Sequence, residues 1–262
     1  IRDRRTFFRL YPEEYGPRLF ELLGWEGGRG VKRFEHTAMT EGAPVLSVRD
    51  LHFPALPPMT FDIRRGEIAF LRDENYNTGR RLHECFLGDR GWTSGFFRLN
   101  GRLYQPGDLG RVIGSEIGIQ IERPDRPGGV LFDNMTALDN LCTSLIPKAG
   151  QHIIRKKIVS SILSEALRWF PKEMLLQPLS SWSYPERLRF SYYRWYLLNP
   201  RLLICFFPFA GQESTHHKMI IDLLVLCAQR GMAVWIISSG IDAICEKTDN
   251  EEFLRRLHYL NK

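Results

Sequence analysis

A chain of 262 residues, 44% hydrophobic and 25% charged, has enough apolar material to bury a core of ordinary size. That composition excludes a disordered chain, and no apolar run approaches the ~18 residues that a membrane helix needs. The 36 Lys+Arg against 30 Asp+Glu leave a net charge of +6, but the basic residues are scattered. A nucleic-acid footprint gathers them on one face, so no nucleic-acid partner is expected.

The five cysteines, Cys85, Cys142, Cys205, Cys227 and Cys245, are odd in number and form no close pair. They read as reduced thiols, mostly of the core, rather than as disulfides or zinc ligands, which points to the cytoplasm. No signal peptide is recognised, and the opening Ile1 is the expected mark of a piece of a longer polypeptide.

Residues 1–45 differ in character from the rest of the chain. A helical pattern over Tyr11–Leu23 leads into the breaker cluster Gly24–Gly30, which reads as a linker. Val45–Phe53 alternates at period two and predicts a strand, as does Met59–Arg64, turned by Arg65-Gly66 into a third strand over Glu67–Arg72. A polar loop precedes a short helix predicted over Arg80–Leu87 and ended by Gly88. Ser94–Tyr104 is a hairpin on an Asn100-Gly101 turn. Ile117–Ile121 is a strand, and helical spacing marks 137–146, 152–169 and Pro185–Leu198. Leu202–Phe207 and Ala233–Ser238 are strands without polar alternation, separated by a helix over Glu213–Gln229. Such strands belong to a parallel sheet covered on both faces, so the C-terminal half reads as α/β and the N-terminal half as richer in antiparallel strands.

In this order the pieces resemble the ATP-binding cassette of ABC transporters, and among those the second cassette of two-cassette ribose/galactose-type sugar importers. Pro44–Asp73 is similar to the family's opening sheet ending in the phosphate loop, and "SGFFRLNGRLYQPGDL" to its hairpin. "IGIQIERPDRPGGVLFDNMTALDNL", "SYPERLRFSYYRWYLLNPRLLICFFPFAGQE" and "GMAVWIISSGIDAICEKTDN" resemble the stretches from Q-loop to switch. "IRDRRTFFRLYPEEY" is similar to the tail that closes a preceding cassette. The resemblance implies a P-loop NTPase-like α/β fold with an antiparallel subdomain, a mostly parallel core sheet and a helical subdomain. It assigns 1–45 to a preceding cassette's tail plus linker and 46–262 to one cassette.

A phosphate loop closes backbone N–H groups around a β-phosphate at a helix N-terminus, with a lysine on the β/γ-phosphates and a Ser/Thr hydroxyl on Mg²⁺. Counted back from Gly88, Thr78 takes the second glycine, Gly79 the lysine and Arg80 the hydroxyl. A one-residue slip instead makes Gly79-Arg80 the Gly-Lys pair and puts Arg81 at the hydroxyl. In both registers Asp73 and Glu74 bring negative charge to the place of a triphosphate. Two like charges ~4 Å apart repel by about 4 kcal/mol at an effective dielectric of 20.

The positions of the Walker B acids hold Phe206 and Phe207, which accept no proton and orient no water, so no catalytic residue is expected. The signature motif reads Trp182-Ser183-Tyr184-Pro185, keeping only its serine. Glu122 stands at the Q-loop glutamine and Ser239 at the switch histidine, as in sugar-type second cassettes. Phe53 stands where an aromatic stacks on adenine, but a residue of an alternating strand more often fills the core. His216 and His217 are adjacent on a helix and lack metal-pair spacing, so no metal site is expected.

The reading is a degenerate cassette, without ATPase activity and with no cofactor, that serves a structural or regulatory role in a sugar-type ABC system. The alternative is a divergent subunit that still binds ATP with Mg and couples its hydrolysis to import. Expected partners are the preceding or a second cassette and a transmembrane permease, at the inner face of the cell membrane.

Overall fold

The structure, a computed structural model, describes residues 42–89, 91–122, 131–149, 156–210 and 214–260. The expectations for the N-terminal tail and linker, and for the start of the helix over 152–169, lie outside them.

Two sheets are built from this chain. The first is antiparallel, in the order β2-β1-β4-β5, from β1 (Leu46–His52), β2 (Met59–Ile63), β4 (Ser94–Leu99) and β5 (Arg102–Tyr104). Asn100 and Gly101, both at positive φ (48° and 77°), close its hairpin as the turn chemistry requires. The second is parallel, in the order β6-β7-β8-β3-β9, from β3 (Ile68–Arg72), β6 (Ile117–Ile121), β7 (Leu202–Phe206), β8 (Ala233–Ser238) and β9 (Leu257–Tyr259).

β2 and β3 therefore do not pair, although only Arg64–Glu67 separate them. The Glu67 carboxylate accepts the N–H of Arg64 at 2.7 Å, and the chain crosses from one sheet to the other. β3 thus brings part of the N-terminal half into the parallel sheet.

The central parallel strands β3, β7 and β8 are apolar on both faces, and the alternation sorts their side chains. Ala69, Leu71, Leu202, Ile204, Phe206, Trp235 and Ile237 face the antiparallel sheet and form one core with Leu46, Val48 and Phe97. Ile68, Phe70, Leu203, Cys205, Val234 and Ile236 face the other way, against α6 (Tyr184–Leu198), α7 (Ser214–Gln229) and α9 (Glu251–Arg256). Each large aliphatic or aromatic side chain so buried contributes about 1.5–3 kcal/mol.

A third cluster holds α3 (Ala137–Ala149), α4 (Lys156–Ala166) and α5 (Lys172–Leu175) against α6 through Phe170, Trp182, Phe190 and Tyr193. Gly118 seats α6 on the sheet: a Cβ there would lie 2.8 Å from Trp195 Cε3. The short helices α2 (Pro106–Leu109) and α8 (Asp242–Lys247), together with α9 and β9, are elements that hydrophobic periodicity did not announce. No helix among the described residues is long and apolar enough to cross a membrane.

Candidate functional site

The carboxyl ends of four neighbouring strands meet at one edge of the parallel sheet. Register pairs Ile121 with Phe206, Phe206 with Ile237 and Leu71 with Ile237. Asp73, Glu122, Phe207 and Ser239, each one or two residues past a paired strand end, are thereby gathered on that edge. A helix, α1 (Asn77–Leu87), begins directly above it.

Asp73 is 2% exposed, and its own N–H donates to the Ser238 carbonyl at 2.9 Å, which extends the β3–β8 pairing. Its carboxylate turns back under the start of α1. There it accepts the N–H of Gly79 at 2.7 Å and that of Thr78 at 3.2 Å. The first N–H groups of a helix have no intrahelical acceptor and carry the positive end of its dipole, so an anion in this position is stabilised. The anion is the chain's own carboxylate.

This explains why α1 starts at Asn77 rather than at Arg80 as the sequence predicts. The N-cap residue, Tyr76, lies in the left-handed region (φ 56°) and makes no side-chain capping bond. Asp73 does that work from outside the helix. Gly88, at φ 83°, ends α1 as expected.

Phe207 closes the same place from the other side. It sits just past β7 at φ 53°, a conformation that a bulky side chain rarely adopts, with its N–H held by the Ile237 carbonyl at 2.8 Å. Its ring lies on the bare backbone of Gly79, where a Cβ would come within 2.7 Å of Cζ. The Tyr76 ring packs on it, with centroids 4.6 Å apart. Phe206 points into the sheet-to-sheet core, 1% exposed, with the His83 ring against it at 5.8 Å.

Glu122 is buried and faces α6. It accepts from Gln120 Nε2 at 2.7 Å, and Gln120 also reaches Ser191 Oγ and the indole N–H of Trp195. Burial, and after it the charge of Glu122, pushes the neighbouring Tyr192 phenol well up. Ser239 lies exposed in the bend after β8. Phe53 is 2% exposed within the core between the sheets, so its ring is enclosed by protein.

Comparison with known proteins gives this geometry a family setting. No family model matches the chain. A putative ribose/galactose/methyl galactoside import ATP-binding protein of Pseudomonas syringae pv. tomato is 26% identical over 233 residues, covering 87% of this chain and 44% of that protein. The fructose import ATP-binding protein FruK of Bifidobacterium longum is 24% identical over 258 residues, covering 91% of this chain and 48% of FruK. The chain thus spans less than half the length of these relatives. The solved structure of cbiO1 from Clostridium perfringens, part of the ABC transporter complex cbiONQ, matches with a TM-score of 0.64 at 20% identity, over 83% of this chain and 85% of that one. The chain has the ABC ATPase cassette fold.

The other expected site residues of this cassette are engaged with the protein's own groups or exposed. Arg80 is exposed on the first turn of α1, and Arg81 is paired with Glu84 at 3.1 Å. Ser183 caps α6: its N–H and its hydroxyl both donate to Glu186 Oε2, at 2.8 and 2.7 Å, in a capping box. Tyr184 comes next with its ring on His216, 5.6 Å between centroids, and His217 packs on Phe209. No cluster of three or more His, Cys, Asp or Glu able to hold a metal ion is found among the described residues.

Sequence reasoning saw Asp73 only as a charge repelling nucleotide. It missed that the carboxylate caps the cassette's own helix and that Tyr76 and Phe207 stack over Gly79. An acid five and six residues ahead of two N–H donors, with no capping side chain directly before the helix, was the available signal.

Proposed function

We propose that the chain is a non-hydrolysing ATP-binding cassette with a structural or regulatory role in a sugar-type ABC transport system. One observation carries this reading. The N–H groups of Thr78 and Gly79 in the first turn of α1 are already bonded to Asp73, and the Phe207 ring lies against Gly79.

The residues do not fit a magnesium–triphosphate. Asp73 is committed to backbone amides, and Arg80 stands where a hydroxyl ligand is wanted. Phe206 and Phe207 offer no oxygen to a metal or a water molecule. Ser183, the remnant of the signature, is engaged with Glu186 and followed by Pro185, which donates no N–H.

On this reading residues 46–262 are one cassette and 1–45 the tail and linker of a preceding one, with that cassette and a permease as partners at the inner face of the membrane. The relatives' role in sugar import, carried in their names, supports the setting. The exposed Arg80 guanidinium at the start of α1 favours the second reading, a divergent subunit that binds ATP.

Calorimetric titration with Mg-ATP, paired with a phosphate-release assay, separates the two. The first reading expects neither saturable heat up to about 1 mM nucleotide nor turnover. Saturable binding at micromolar nucleotide, or turnover abolished by Arg80→Ala, establishes the second.

A further inference from the structure

At the opposite edge of the parallel sheet, where its strands begin, a cavity of about 560 Å³ opens between loops from five places in the chain. Three guanidinium groups line it: Arg65 from the crossing between β2 and β3, Arg201 from the residue before β7, and Arg230 from the end of α7. The volume lies within the usual range for small-molecule sites.

Packing helps to hold two of the three in place. Arg230 lies over the Tyr196 ring, 4.5 Å from its centroid. Stacking occupies the face of a guanidinium and leaves its in-plane N–H groups directed outward. Arg65 rests on Gly231, which is at φ 87° and bare; a Cβ there would fall 2.3 Å from Arg65 Nε. The Arg201 guanidinium has no ion-pair partner among the described residues, while its backbone N–H ties β7 to β6 through the Glu116 carbonyl at 2.9 Å.

Helix ends do not account for this arrangement by themselves. The C-termini of α6 and α7 reach this edge and each carries about half a negative charge, which favours one cation nearby. Arg201, without an ion-pair partner among the described residues, and Arg65, which reaches the cavity across a bare glycine, add to that single cation. The other side of the cavity is neutral or acidic: Asn100 and Asn199 line it with amides, Ser115 with a hydroxyl that donates to the Val112 carbonyl at 3.2 Å and keeps its acceptor capacity, and Glu116 with a carboxylate. A ligand that was anionic throughout would be repelled by Glu116. One with an anionic head and a hydroxyl-bearing body meets arginines at one end and hydrogen-bonding groups at the other.

We propose that this cavity binds a phosphate monoester carried on a polyol, a sugar phosphate in chemical class. Planar guanidinium groups grip phosphate oxygens in pairs, and Glu116 accepts from the ring hydroxyls. The same chemistry comes from a soluble sugar phosphate or from a phosphorylated inositol lipid.

Titration of the full chain with glucose 6-phosphate, inorganic phosphate and glucose tests the site, alongside flotation with vesicles carrying phosphatidylinositol 4-phosphate or phosphatidylinositol. The expected result is saturable binding of glucose 6-phosphate, no binding of glucose, and a loss of about tenfold or more in Arg201→Ala and in Arg230→Ala, since one charge-assisted contact exceeds 1.4 kcal/mol. Glu116→Gln should weaken glucose 6-phosphate relative to inorganic phosphate, which loses a repulsion and should bind no worse than in the parent. Capture by phosphatidylinositol 4-phosphate vesicles alone, lost in the same arginine variants, supports the site with a membrane-borne source. The proposal is overturned if no phosphate monoester binds in solution or on vesicles up to about 10 mM. Binding that survives both arginine variants, or equal capture by the two vesicle types, overturns it as well. Arg201 and Arg230 are exposed, so both variants should fold, and an unchanged thermal midpoint checks this.

Discussion

Removing the carboxylate under α1 probes the site most directly. Asp73→Ala deletes the acceptors of two buried N–H groups, Gly79 at 2.7 Å and Thr78 at 3.2 Å. A hydrogen bond to a charged group is worth about 1.5–3 kcal/mol, and the longer bond falls at the low end. The favourable charge at the helix N-terminus adds up to about 1 kcal/mol. Partial access of water to the emptied space offsets some of this, which leaves an expected loss of about 3–5 kcal/mol. For a domain of this size that corresponds to a thermal midpoint lower by about 10 °C. Asp73→Asn keeps an oxygen for Gly79 and should lose roughly 1–2 kcal/mol. Urea denaturation of the parent and both variants reads these differences. Amide hydrogen exchange should show faster exchange confined to Thr78, Gly79 and Arg80. An Asp73→Ala protein within about 1 kcal/mol of the parent, with those amides still protected, would refute the reasoning.

Three further predictions bear on the fold and the site. Phe206→Asp combined with Phe207→Glu should destabilise the protein by more than about 3 kcal/mol, because a carboxylate replaces a ring that is 1% exposed, and phosphate release should stay at the parent level; turnover above the parent would count against a non-hydrolysing cassette. Gly118→Ala sets a methyl 2.8 Å from Trp195, 3.1 Å from Leu203 and 3.1 Å from Pro200, so a loss of about 1–3 kcal/mol is expected in urea denaturation, and a neutral result would mean that α6 does not bear on β6. The hydrogen bond from Arg49 at 2.7 Å, more than any other cause, holds the Asp62 carboxyl below the usual carboxylate range. A depressed folded value means that the pair stabilises above the unfolded value and that this contribution is lost as pH falls through the folded one. With both side chains about a third exposed, Asp62→Asn should cost at most about 1 kcal/mol at pH 7 and progressively less below pH ~4.

Much of the fold was legible because it rests on periodicity. Continuous apolar runs such as Leu202–Phe206 and Ala233–Ser238 are what a doubly covered parallel sheet needs, and Asn199 at φ 47° and Gly88 end their helices as the residue types suggest. The parting of β2 from β3 was not legible, since it depends on a side-chain bond from Glu67 rather than on a pattern. The last elements escaped for a related reason. β9 is only Leu257–Tyr259, too short to display alternation, and is set in place by its pairing with Ile68–Phe70. In the site, the residue types that replace the expected motif could be read from the sequence. What they do instead depends on a reversal of direction at Tyr76 and on a left-handed Phe207, both products of tertiary context.

The internal carboxylate also sets what a nucleotide would have to overcome. A ligand present at about a thousand times its dissociation constant stabilises a protein by about 4.1 kcal/mol. The two bonds to Asp73 supply a stabilisation of that order at all times, so on this reading the chain gains from its own residue what other cassettes would gain from a bound anion. An incoming phosphate group must first displace the carboxylate, and each 1.4 kcal/mol of that cost weakens apparent affinity tenfold. A displacement of about 4 kcal/mol therefore turns a micromolar site into a millimolar one, before any repulsion from Glu74 or the cover of Phe207 is counted. On the proposed reading, the carboxylate that stabilises α1 is also what opposes a phosphate group there. A change that reopened the cradle would first have to replace the several kcal/mol that Asp73 contributes to the fold, and a single variant, Asp73→Ala measured for both stability and Mg-ATP affinity, should move the two quantities in opposite directions.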